Sequence, residues 1–228
     1  METLKVLNKI AYRVHINQVF SDFLQMVVSA FCKGLDEKKY VESIKSYSKE
    51  EQTLFSEALA TLIKDYDIKS SKDGDWADII GNIFEEVNSK HTASHNGQFF
   101  TPISICNLMA QITNDKQGEN INDPSCGSSR NLIAHSRLRP NNRLECFYTG
   151  MDLDYRCCLM SVINFLMYGL RGVIIHANTL TLEIYKGWRI YLPETGLFVE
   201  PLTAQQCRQY IFSKKQETQS INEQLKLF

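Results

Sequence analysis

The sequence predicts an α/β chain in which a helical N-terminal region leads into a parallel, doubly wound sheet. Three observations carry this. Residues 1 to about 90 place apolar side chains at helical spacing, with no strand-like alternation between them. From about residue 101 to 178, short strand-like runs alternate with helix-like runs, the pattern of a parallel sheet with crossover helices. Two of the strand-like runs end in acids, in "INDPSCG" and "GMDLD", and in such sheets ligands sit at the carboxyl ends of strands.

The elements follow in order. "INQVFSDFLQMVVSAFCKGL" sets Val19, Phe20, Phe23, Leu24, Val27, Val28 and Phe31 on one helical face. "SKEEQTLFSEALATLIKDY" opens with Ser48 and Glu51 three residues apart, a capping-box pattern. "GDWADIIGNIFEEVNSK" repeats the amphipathic spacing through Trp76, Ile79, Ile80, Ile83 and Phe84. "TPISICNLMAQIT" starts a helix with Thr101 as cap and Pro102 at the first helical position, where a missing N–H costs nothing. Then come a strand in "ENINDPS", a helix in "SSRNLIAHSRLR", a strand in "LECFYTGMDLD", an apolar helix in "YRCCLMSVINFLMYGL" and a strand in "GVIIHAN". "EIYKGWRIYLPETGLFVEPL" predicts a hairpin turning at Lys186-Gly187, and "TAQQCRQYIFSKKQETQS" a helix that breaks into a polar tail. The expected units are 1–90 (helical), 91–212 (α/β) and 213–228 (tail).

Composition excludes several classes. With 228 residues, 43% of them apolar, the chain can bury a sizeable core. A net charge of −1 gives no global pull toward nucleic acid or membrane, so either would need a local patch. No apolar run approaches the roughly 18 residues of a membrane span, and the N-terminus does not read as a signal peptide. Seven cysteines without a CxxC pair lack metal-ligand spacing. They read as free buried thiols of a cytoplasmic protein.

Three loops at strand ends form the candidate site. The first holds Cys126-Gly127-Ser128, where Gly127 permits a tight turn and the following helix start offers free N–H groups. The second ends at Asp152, roughly 20–30 residues on, a spacing suited to ribose hydroxyls. The third holds Asn178, placed to meet a base edge.

"GQFFTP" (Gly97 to Pro102), "DPSCGS" (Asp123 to Ser128) and "GMD" (Gly150 to Asp152) resemble the consecutive motifs of the DNA adenine-N6 methyltransferases, above all the modification subunit of type I restriction-modification systems. "IIGNIFEEV" before them resembles the same family, and the resemblance covers roughly residues 75 to 180. It implies a Rossmann-like sheet binding S-adenosylmethionine. Gln98, Phe99, Phe100, Thr101 and Pro102 would wall the methionine end, and Asp123 would face the amino group. Gly127, Ser128 and Ser129 would form the loop at the cofactor, Asp152 would take the ribose hydroxyls, and Asn178 would contact the adenine. The plainer reading of Phe99 and Phe100 is core packing.

The sequence departs from that family twice. Where the family continues with small residues, this chain has Ser129, Arg130 and Asn131. Side chains there crowd the loop, and Arg130 would either fill the cleft or point to solvent. The family also needs an Asn/Asp-Pro-Pro-aromatic loop, which orients the adenine amino group and stacks on the flipped base. The five prolines here include no adjacent pair, so that motif is absent from these residues. No catalytic residue is therefore assigned, and the chain is expected to be inactive alone, a truncated form that acts with DNA and with a catalytic or specificity partner subunit. The alternative is a non-catalytic scaffold at DNA.

Arg130, Arg137, Arg139 and Arg143 suggest a solvated helix face or, second, a nucleic-acid contact. His135 and His176 read as structural. The end "QLKLF" resembles the short peptide by which DNA polymerases and repair proteins bind the sliding clamp, with Gln224, Leu225, Leu227 and Phe228 as the anchors.

Overall fold

The computed structural model describes residues 1–70, 76–89, 100–113, 120–139, 146–191 and 196–211. Five helices come first: α1 (Glu2–Ile10), α2 (Ile16–Phe31), α3 (Glu37–Ile44), α4 (Lys49–Ser70) and α5 (Ile79–Ser89). The capping box forms at α4. Glu51 accepts from the Ser48 backbone N–H at 2.7 Å, and Ser48 Oγ accepts from the Glu51 N–H at 3.2 Å. The predicted face of α2 is buried, with Val19, Leu24 and Val28 fully enclosed.

The second half holds α6 (Ile103–Thr113), β1 (Asn120–Asp123), α7 (Arg130–Arg137), β2 (Phe147–Asp152), α8 (Tyr155–Tyr168) and β3 (Gly172–Asn178). Then come β4 (Glu183–Tyr191), β5 (Phe198–Thr203) and a helix over 204–211. Pro102 stands one position earlier than expected. Its carbonyl accepts from the Cys106 N–H, so it caps α6 rather than opening it. The strands lie in the order β1-β2-β3-β4-β5. Only β1, β2 and β3 are parallel; β4 runs antiparallel to β3, and β5 to β4.

The expectation of a parallel doubly wound sheet therefore holds for three strands, and no reversal of strand order occurs among the described residues. The expected turn at Lys186-Gly187 is also corrected. Both residues lie inside β4, paired with His176 and Ile175 on one side and with Thr203 and Leu202 on the other. Turn chemistry was the wrong reason for that glycine. A Cβ on Gly187 would stand 2.7 Å from Cys207 Sγ and 2.8 Å from the Ile174 carbonyl oxygen.

One sheet face, the helices α7 and α8 and the N-terminal helices share a continuous apolar core, including Phe20, Ile80, Ile133, Tyr148, Phe165 and Trp188. The opposite face packs Val173, Ile175, Ile184 and Leu202 under Cys207 of the last helix. All seven cysteines are free and buried, as expected. Among the described residues no helix is long and apolar enough to cross a membrane.

The α8 helix ties the two halves together because it is buried nearly all round. Its polar side chains must then find partners inside. Asn164 Oδ1 accepts from Tyr66 Oη of α4 at 2.6 Å, and its Nδ2 donates to Asp78 Oδ1 at 2.9 Å and to the Ser128 carbonyl at 2.7 Å. Tyr168 Oη donates to the Ala77 carbonyl at 2.7 Å.

Replacing Gly187 with Ala should lower stability by about 1–3 kcal/mol through overpacking. Urea denaturation measures this; a neutral substitution would show that Cys207 and the Ile174 backbone give way to a Cβ and would contradict the steric account.

Candidate functional site

The loop between β1 and α7 is built by its backbone. The Cys126 N–H donates to the Met151 carbonyl at 2.8 Å, and the Gly127 N–H donates to Asp152 Oδ2 at 2.8 Å. Ser161 Oγ donates to the Gly127 carbonyl at 2.8 Å. The loop is thus stitched to the end of β2 on one side and to α8 on the other.

Two residues take left-handed backbone angles, Gly127 at φ 56° and Ser129 at φ 72°. Glycine does so freely, while a serine costs roughly 1–2 kcal/mol. Ser129 is fully buried and is held there by its hydroxyl bond to Ser161 Oγ at 2.8 Å and its N–H bond to the Cys126 carbonyl at 2.7 Å. A Cβ on Gly127 would meet the Phe100 ring at 3.0 Å, so the loop approaches that ring as closely as a backbone can.

Between Phe100 and this loop lies a cleft of about 170 Å³. Of the residues singled out in the sequence, Phe100, Thr101, Gly127, Ser128 and Asp152 line it together. Ser125, Cys126, Arg130, Asn131 and Cys157 complete the wall. Ser129 sits beneath the loop. Pro102 caps α6 outside the lining. Asn178 ends β3, where its Oδ1 accepts from the Leu180 and Thr181 N–H groups at 3.1 and 3.2 Å. Gln98, Phe99, Gln224, Leu225, Leu227 and Phe228 lie outside the described residues.

Burial raises the Asp152 carboxyl above the usual aspartate range, although the Asp154 and Gly127 N–H groups pull it the other way. Each of its oxygens already accepts one N–H, from Gly127 and from Asp154 at 2.8 Å. A carboxylate oxygen has a second lone pair, so both can accept again. Burial pushes the Cys126 thiol up to about 12, leaving it neutral beside the cleft. Asp123 does not line the cleft. Its Oδ1 accepts from the Ser125 N–H at 3.1 Å and its Oδ2 from Asn131 Nδ2 at 3.2 Å. That leaves Asn131 Oδ1 buried without a partner at the cleft wall.

Arg130 neither fills the cleft nor points to solvent. Its Nε donates to Asp78 Oδ2 at 2.7 Å, its guanidinium to Glu85 at 2.8 Å and Asn82 at 3.0 Å, and it stacks 5.0 Å from the Phe100 centroid. Burial works to lower its pKa, but Asp78 and Glu85 outweigh this and hold it above the ordinary value. The arginine row is therefore not a solvated face: Arg130 is buried and Arg137 and Arg139 are half-buried, while Arg143 lies outside the described residues. His135 is buried edge-on to Tyr148. His176 sits 3.0 Å from the Leu153 carbonyl.

Asp78 was missed by the sequence reading. It is fully buried and receives Arg130 Nε, Ser128 Oγ at 2.5 Å, Asn164 Nδ2 and the Gly81 N–H at 2.8 Å. The available signal was its position three residues before Gly81 at the start of α5, where an aspartate is a good N-cap.

A tight loop between β1 and α7 with an acid ending β2, on three parallel strands, gives the class as a Rossmann-like nucleotide-binding fold. A structure described as a class I S-adenosylmethionine-dependent methyltransferase from Listeria monocytogenes superposes with a TM-score of 0.50 at 15% identity, over 78% of this chain and 53% of that one. Residues 75–189, half of the chain, match the model of the N-6 DNA methylase family, and the chain belongs to that family. Family and fold together imply S-adenosylmethionine as the cofactor.

A 95-residue stretch is 28% identical to the type I restriction enzyme MjaVIII methylase subunit of Methanocaldococcus jannaschii, covering 41% of this chain and 16% of that protein. The modification-system methyltransferase subunit of Streptococcus thermophilus is 21% identical over 76% of this chain and 42% of its own, at a TM-score of 0.40. The match thus spans a small part of the curated relative's length.

Removing the Asp78 carboxylate leaves Arg130 with one carboxylate among the described residues, that of the partly exposed Glu85. Asp78→Ala should cost about 3 kcal/mol or more, and Glu85→Gln, at a partly exposed residue, about 1 kcal/mol or less. Equal losses in chemical denaturation would contradict this ranking.

Proposed function

We propose that the chain is the cofactor-binding half of a DNA adenine-N6 methyltransferase of the type I restriction-modification kind, and that it does not transfer a methyl group on its own. The observation that supports this best is the cleft where the Gly127 backbone, Asp152 and Phe100 converge. Its residues fit the cofactor chemically. Asp152 has lone pairs left for ribose hydroxyls, Gly127 leaves room for a close backbone approach, and the unpartnered Asn131 Oδ1 offers an acceptor to an amino group. Phe100 and Thr101 form a wall, which Gln98, Phe99 and Pro102 would extend. Clefts for drug-sized ligands run to roughly 300–1,000 Å³, so this one encloses part of the molecule.

When bound, S-adenosylmethionine supplies an electrophilic methyl group. The residues here bind and orient; none is positioned to hold an adenine amino group, because the Asn/Asp-Pro-Pro-aromatic loop is absent from the sequence. The family name supports action on DNA, and the relative's being a methylase subunit supports assembly with another chain; the catalytic or specificity role of that partner is part of the proposal.

Calorimetric titration with S-adenosylmethionine should show binding that Asp152→Ala weakens by at least about tenfold, the loss of one charged hydrogen-bond set. Binding should also fade in acid, at a higher pH than an ordinary aspartate would give, because protonated Asp152 loses acceptor capacity and its pKa is raised. No binding at millimolar cofactor would favour a scaffold role instead. Tritiated methyl transfer to duplex DNA by the pure chain would refute the claim of inactivity.

A further inference from the structure

Strand β4 carries a lysine that the cofactor cleft does not use. Side chains two apart on a strand share a face, so Lys186 lies on the side of Trp188, which packs into the main core. Its cross-strand partner His176 is on that side too. The amine is thus turned toward the N-terminal helices.

A chain of hydrogen bonds fixes it there. Tyr155 Oη, at the start of α8, donates its one proton to Gln25 Oε1 of α2 at 2.5 Å and accepts from Lys186 Nζ at 2.7 Å. The centroids of the Tyr155 and Trp188 rings lie 3.9 and 5.1 Å from the amine nitrogen. Among the described residues no carboxylate stands within ion-pair distance of Lys186. Asp36 is taken by Ser29, Gln25 and Lys39, and Asp22 by Tyr47 and Gln18. Glu42 of α3 lines the same groove without pairing with the amine. What touches Lys186 is a second cation, Lys39 of α3.

These surroundings work against a charge on Lys186. Burial first, and then Lys39 through contact and charge, bring its pKa down to about 7, although Asp36 and Cys158 pull the other way. The ring faces also favour a cation and are outweighed. Burial lowers His176 as well, so it adds no charge at neutral pH. At pH 7 about half of Lys186 is a free amine, against roughly one in 2,500 for a lysine in water.

Among the described residues the amine faces a groove of about 530 Å³, the size of a small-molecule site. Its lining carries both signs of charge, which suits a polar ligand, and shares no residue with the Gly127 cleft. A desolvated lysine beside another cation is the usual way to make an amine that attacks carbonyl carbon.

We propose that Lys186 is a nucleophilic amine that holds a small polar aldehyde as an imine in the groove between α2, α3 and β4. The Nζ lone pair bonds to the carbonyl carbon. The carbonyl oxygen then leaves as water with both amine hydrogens, and a C=N bond remains. No oxidant or reductant takes part. Lys39 keeps Lys186 unprotonated and opposes the negative charge that gathers on the oxygen as the amine adds. The proposal stands apart from the cofactor reading.

The test treats the protein with glycolaldehyde and sodium cyanoborohydride, which reduces the imine, and follows hydroxyethylated peptides by mass spectrometry. At pH 7 Lys186 should be labelled at least about tenfold faster than Lys5, an exposed lysine on α1. Its rate should level off with glycolaldehyde concentration, while that of Lys5 stays proportional. Lys39→Gln should slow Lys186 at pH 7 by at least about fivefold and move its half-maximal rate to higher pH, because the amine then holds its proton more tightly. Lys39→Arg keeps the charge and should keep the parent rate. Lys186 labelled no faster than Lys5 would overturn the proposal, as would a pH profile unchanged in Lys39→Gln. A rate at Lys186 that stays proportional would show a reactive amine without a site for the aldehyde, and overturns it too. Should Lys39→Gln fail to fold, the contrast with Lys5 and the levelling-off, both read on the parent protein, decide the question.

Discussion

A carboxylate buried away from water must be surrounded by donors, and Asp78 meets that demand from four directions. Arg130 comes from α7, Ser128 from the loop, Asn164 from α8 and the Gly81 N–H from its own helix. Losing any of these leaves charge or polarity unpaired at a site closed to solvent, since Asp78 is fully buried. The four elements are therefore held in one relative position. The loop that lines the cleft inherits its shape from this arrangement and from the α8 hydroxyl and amide that take its carbonyls. A loop built this way gives a ligand little to reorganise on binding.

The same network accounts for the side chains that depart from the family's small residues. Ser129 keeps a left-handed backbone because two hydrogen bonds offset the strain. Arg130 stacks on Phe100 and fixes the ring that faces Gly127. The Arg130 guanidinium is thus tied toward α5, while Arg130 and Asn131 still form part of the cleft wall. The loop's departure from the family is structural, whereas the missing Pro-Pro loop bears on chemistry.

Much of this was legible in the sequence, for local reasons. The capping box of α4, the Pro102 start of α6 to within one position, and Asp152 at the end of β2 all depend on residues close together in the chain. What was not legible depends on distant partners. Nothing near Arg130 reveals carboxylates 45 and 52 residues upstream. Gly187 carries a local turn signal, but its need for no Cβ comes from Cys207 and the Ile174 backbone. The switch from parallel to antiparallel after β3 is set by a short connection over 179–182, too short for a crossover.

The most direct measurement is an amide NMR spectrum of the labelled chain titrated with S-adenosylhomocysteine, the demethylated form of the cofactor. The account predicts shifts concentrated at Gly127, Ser128, Asp152 and Thr101, which share the cleft. Shifts confined to other surfaces, such as the groove of Lys39, Tyr155 and Lys186, or none at millimolar ligand, would contradict it.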